Sequence, residues 1–170
     1  MLAMYLSTPL KRSTYLVAKV VAVLLTLALV TLGPPLLLLI GYTFENAGPD
    51  GPGDWLVVLL RIFMSAFAVC GALTAVSMAA ASLTDRRAFA SIGVVLLALA
   101  SPAVASALVE GAELSPNWRL IDVFSMPFEL VFRIFGEPGN FPELSTLSVV
   151  AVNLGWTLGG IVVVVWRYSR

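Results

Sequence analysis

The chain has 170 residues, of which 59% are apolar and 12% charged, with ten cations, ten anions and no histidine. Soluble domains carry roughly 25% charged residues, so this composition excludes an ordinary soluble domain and a disordered chain, and a mean hydropathy of +0.97 points to a membrane protein. A net charge of zero leaves no basic surplus for nucleic acid. Without histidine there is also no Ser-His or Cys-His nucleophile pair, no zinc held by histidine and no histidine-ligated haem.

A bilayer-crossing helix needs roughly 20 apolar residues, and four stretches qualify: 16–42, 55–83, 88–109 and 147–166. The fold class is therefore all-α, a polytopic membrane protein forming a single transmembrane domain over 1–170. The first stretch is too long for a signal-peptide core of about 7–15 residues. Gly33-Pro34-Pro35 is expected to kink or break it, and Pro102 the third. Carbonyls freed at such kinks need neighbouring helices or water, which favours a packed bundle. Asp54 is a candidate N-cap for the second span, and Thr84 or Asp85 for the third.

The second span is rich in Ala, Ser and Gly, including Gly71, and the fourth carries Gly155 and Gly159 as G-x-x-x-G. Small residues let helices approach closely in lipid, so these glycines point to helix packing within or between chains. Cys70, the single cysteine, lies in an apolar run and reads as a small packing residue.

Between the third and fourth spans, 110–144 is too long for a turn. Ser115-Pro116 reads as an N-cap with proline at the first helical position, opening a short helix to about Phe124. Ser125-Met126-Pro127 opens a second helix that ends near Gly136. That helix carries Phe128, Leu130, Val131, Phe132, Ile134 and Phe135, with Glu129 and Arg133 as an i,i+4 pair. The segment reads as an interfacial or re-entrant hairpin over the outer mouth, or as a helix lying on the outer leaflet.

Charges are segregated along the chain. Lys11, Arg12, Lys19, Arg86, Arg87, Arg167 and Arg170, seven of the ten cations, fall on one side with only Asp85 as an anion, and Arg119, Arg133 and the other nine anions fall on the opposite side. The positive-inside rule puts the first side, with both termini, in the cytoplasm of a plasma-membrane protein. Arg61 is the exception, six residues past Trp55 and about 9 Å along the second span. It reads either as an interfacial anchor that snorkels outward or as a cation facing a substrate path. Asn153, the one amide inside a span, reads as a bond to a neighbouring helix or as part of such a path. The spans contain no His, Asp or Glu to relay protons or to serve as a base, which disfavours a proton pump or an intramembrane enzyme. No catalytic, cofactor-binding or metal-ligating residue is assigned.

Two stretches carry a resemblance. Leu6-Ser7-Thr8-Pro9-Leu10-Lys11-Arg12, then Tyr15-Leu16 and Lys19, and Ala81-Ser82-Leu83-Thr84-Asp85-Arg86-Arg87, then Ala90, resemble the cytoplasmic segments of ABC-2 type permeases, the membrane subunits of one class of ABC transporter. The long outer loop with short helices before the last span also fits, so the resemblance covers about 5–170. It implies an export permease that forms a substrate path with a second permease half. A separate ATP-binding subunit would supply the energy, and no G-x-x-x-x-G-K-S/T stands in this sequence. The resemblance implies contact with that subunit through Ser7, Pro9, Lys11 and Arg12, with Arg86 and Arg87 as a second cytoplasmic surface; the same cations also suit topology and anionic lipid. The family core has six membrane helices against four here, and the two unmatched ones would precede Met1. The competing reading is a non-transport membrane scaffold or assembly factor.

Overall fold

The computed structural model describes residues 12–84 and 87–169, and all regular structure among them is helical. Four long helices dominate: α1 (Arg12–Phe44), α2 (Pro52–Ser82), α3 (Arg87–Ser106) and, last in the chain, α5 (Thr146–Ser169). Each contains a window apolar and long enough to cross a membrane. A π-helical turn (Ala107–Gly111) extends α3, and a 3-10 helix (Pro116–Ile121) and α4 (Ser125–Phe135) fill the stretch before α5.

The expected break in the first span does not occur. α1 runs through Pro34 and Pro35, and α3 through Pro102, as continuous helices. Proline removes one backbone bond and crowds the preceding turn. Where no water competes for the backbone, the rest of the helical ladder keeps the helix unbroken. Thr31, one turn before the prolines, bonds the Leu27 carbonyl at 2.9 Å. The second span begins earlier than Asp54 suggests: Gly51 is its N-cap, Pro52 occupies the first turn and no side chain caps it. Asp54 instead places a negative charge in the first turn, at the positive end of the helix dipole. Asp85 lies outside the described residues, and Thr84 precedes α3 by three positions.

The hub of the bundle is α2, which packs against α1, α3, α4 and α5. A third of its apolar window is buried, against 6% for α1. Small side chains make this possible: Ser65, Ala66, Ala72 and Ala75 are buried on α2, letting neighbours close in without a hydrophobic driving force. α5 comes close to α2 at Gly160, where an added Cβ would stand 2.7 Å from the Ala75 backbone. Gly71, Gly155 and Gly159, the glycines marked by the sequence, have open space around them. Within this chain the close approach belongs to Gly160, one position beyond the G-x-x-x-G, and the Gly155 and Gly159 face is left outward. Gly160→Val should therefore lower stability by about 1–3 kcal/mol through overpacking, while Gly159→Val should be near neutral. Unfolding of both variants in detergent micelles checks the pair, and equal midpoints would contradict this packing.

At the other contacts, Thr31 Oγ1 of α1 lies 3.1 Å from Cys70 Sγ of α2. Arg167 Nε donates to the Ser82 carbonyl at 3.3 Å, joining the C-terminal ends of α5 and α2. With short links between α1 and α2 and between α2 and α3, the ends of α1, α3 and α5 that carry Arg12, Arg87 and Arg167 gather with the C-terminal end of α2 at one end of the bundle.

Candidate functional site: a buried polar lock under a short amphipathic helix

The helix α4 lies across α2 and α5 at the end opposite those cations. Its start and stop follow from local chemistry. Asp122 Oδ1 accepts from the backbone N–H of Phe124 at 3.2 Å and of Ser125 at 3.0 Å, covering donors that a helix start leaves unpaired. Ser101 of α3 donates to the same oxygen at 3.2 Å, so the cap is tied to a membrane-spanning helix. At the far end Gly136 takes φ +85, and the Gly136 and Glu137 N–H groups bond the Arg133 and Phe132 carbonyls at 3.2 and 2.8 Å. This left-handed stop is the one expected there. Upstream, the Ser115 cap forms as expected, bonding the Asn117 N–H at 3.4 Å. The helix it opens is a 3-10 turn ending at Ile121, short of Phe124.

One face of α4 is sealed. Met126, Leu144 and Val149 form a core beneath it, with Leu130, Phe141 and Val152 against them. Phe128 and Phe132 point outward. Inside this apolar layer sits the Glu129–Arg133 pair. Glu129 is 0% exposed, and its Oε1 accepts from Arg133 Nη2 at 3.0 Å. Its Oε2 accepts from the Asn140 N–H at 2.8 Å. The same Arg133 nitrogen donates to the Phe141 and Leu144 carbonyls at 2.8 and 3.2 Å. The pair thus pins the strap that returns the chain to α5. Gly139 completes the lock: it takes φ +71, and a Cβ there would fall on the Glu129 carboxylate. A second clasp lies nearby, where Arg119 meets Glu110 at 2.7 Å and Glu143 at 3.5 Å and stacks on Phe141 at 4.7 Å.

Asn153 belongs to this layer. Its Nδ2 donates to the Met126 carbonyl of α4 at 3.0 Å and to the Val149 carbonyl at 2.9 Å, so it ties α4 to α5. Its Oδ1 is buried and without a partner among the described residues. Arg61 stands apart on α2 and donates to the Phe135 carbonyl at 3.4 Å. Beside it, a groove of about 400 Å³ runs between α1, α2 and the end of α4.

The structure brings Arg61 and Asn153 to the α4 end of the bundle. Ser7, Pro9, Lys11 and Arg86 lie outside the described residues. Arg12 and Arg87 begin α1 and α3, at the opposite end from α4. Among the described residues no group of three or more His, Cys, Asp or Glu stands close enough to hold a metal ion. The sequence reading paired Glu129 with Arg133 but did not find the partners in 139–144. It also missed the Asp122 cap, although an Asp three residues before Ser125 was a usable signal. No family model, no curated protein and no solved structure matches this chain.

Proposed function

We propose that the chain is a membrane-spanning permease subunit of an ATP-driven ABC-2 type transporter. It would act as an exporter, paired with a second permease half and driven by a separate ATP-binding subunit. The order of segments carries this reading. A Leu-Ser-Thr-Pro-Leu-Lys-Arg stretch leads into α1, a Ser-Leu-Thr-Asp-Arg-Arg stretch joins α2 to α3, and a helical outer segment separates α3 from α5. In this reading Ser7, Pro9, Lys11 and Arg12 meet the ATP-binding subunit, with Arg86 and Arg87 beside them. α4 and its lock hold the exterior end of the bundle together. The termini and the cationic end face the cytoplasm, by the positive-inside rule.

Charge reversal at the first of these segments gives the test. The double substitution Lys11→Glu and Arg12→Glu should lower co-purification of an ATP-binding subunit from detergent-solubilised membranes by about tenfold, the effect of roughly 1.4 kcal/mol. Rim charges of this kind act on association and its salt dependence, so the loss should be greatest at low salt. A wild-type chain that recovers no P-loop protein would instead favour the scaffold or assembly-factor reading.

A further inference from the structure

We propose that the groove between α1, α2 and the end of α4 holds one zwitterionic phospholipid of the phosphatidylethanolamine type, with its phosphate on Arg61 and its ammonium at the acidic rim. The groove is walled by apolar side chains, among them Leu38, Leu39, Val58, Ile62 and Phe135. At about 400 Å³ it falls within the range of small-ligand sites. Tyr42 lines its mouth, and Trp55 Nε1 donates to Thr43 Oγ1 at 3.2 Å next to it. Such amphipathic rings settle at the headgroup level.

Charge decides the occupant. Arg61 lies on α2 between the lining residues Val58 and Ile62. It is nine residues in from Pro52, about 13 Å along the helix. Arg119 and Arg133 each face a carboxylate. Arg61 has none among the described residues, and its one hydrogen bond goes to the Phe135 carbonyl. A guanidinium at membrane depth pairs with an opposite charge or with backbone carbonyls; Arg61 has one carbonyl, and its planar fork matches phosphate. At the mouth the sign reverses: Glu45, Asp50 and Asp54 flank the lining residues Ala47, Gly48 and Pro49 in the chain. All three are exposed, and none is ion-paired among the described residues. Arg61 does not itself line this apolar groove but binds the carbonyl of the lining residue Phe135, and with carboxylates flanking the lining loop in the chain that order of charges fits a headgroup whose phosphate lies inside its ammonium. A lipid of net negative charge would bring no cation to those three carboxylates. This inference rests on the membrane reading and is independent of transport.

Native mass spectrometry of the intact chain, released from micelles holding equal amounts of phosphatidylethanolamine and phosphatidylglycerol, tests it. The expected result is one retained phosphatidylethanolamine per chain, at least tenfold over phosphatidylglycerol. Arg61→Gln should lower that retention about tenfold, Arg61→Lys should keep most of it, and Val58→Phe should lower retention of both lipids by filling the groove. Equal or greater phosphatidylglycerol retention by the wild type would overturn the proposal. So would wild-type phosphatidylethanolamine retention in a folded Arg61→Gln, or a second copy of the chain retained without lipid. If Arg61→Gln loses its helical circular dichroism, the wild-type lipid competition and Val58→Phe decide.

Discussion

Glu129→Ala should cost about 3–5 kcal/mol of stability, the penalty for breaking a buried ion pair by removing one partner. Glu129 is 0% exposed and the Arg133 side chain 13% exposed, so the guanidinium has little water to turn to. After the substitution it would keep the Phe141 and Leu144 carbonyls, which supply no charge. The Asn140 N–H would lose its acceptor, at a further cost for an unpaired donor. Glu129→Gln retains an oxygen for Asn140 and the side-chain shape, so its cost should be smaller. Denaturant unfolding in micelles, followed by near-ultraviolet circular dichroism, measures the series. An Ala variant with an unchanged midpoint would contradict the buried pair.

Gly139→Ala should cost about 2–4 kcal/mol, for two separable reasons. An L-residue at φ +71 pays about 1–2 kcal/mol for the left-handed conformation. The new methyl would also press on the Glu129 carboxylate and pull it from Arg133 or Asn140. Only the second part depends on Glu129. In a Glu129→Ala background the cost of Gly139→Ala should therefore fall to about 1–2 kcal/mol, a coupling that contacting residues show and distant ones do not. A strictly additive double variant would place the Gly139 effect in the backbone alone.

The spans were the most legible part of this chain. Crossing a bilayer requires length and apolarity together, and both are properties of a single segment. The limits 55–83 and 147–166 therefore fall close to Pro52–Ser82 and Thr146–Ser169. Pairings between segments were less legible. The i,i+4 spacing of Glu129 and Arg133 suits an exposed surface as well as a buried lock. What distinguishes them is the return strap, whose carbonyls and N–H groups any sequence would offer. The glycines show the same limit: G-x-x-x-G marks a thin helix face at Gly155 and Gly159, but rotation of α5 against α2 puts Gly160 at the contact. Pro34 and Pro35 do not break the first span for a related reason, since proline's cost is local while a long apolar helix is held by its whole length. The α4 boundaries were readable, because Ser125, Pro127 and Gly136 act through the backbone next to them.

In the proposed arrangement the cationic ends of the helices face the cytoplasm and the α4 lock faces the exterior. Single cysteines in a Cys70→Ser chain, labelled in intact cells by a membrane-impermeant maleimide, test this directly. Asn117→Cys lies at an exposed position before α4 and should label without lysis, while Ser7→Cys should label only after the membrane is opened. Labelling of Ser7→Cys in intact cells, with Asn117→Cys protected until lysis, would contradict the arrangement and with it the placement of the ATP-binding partner.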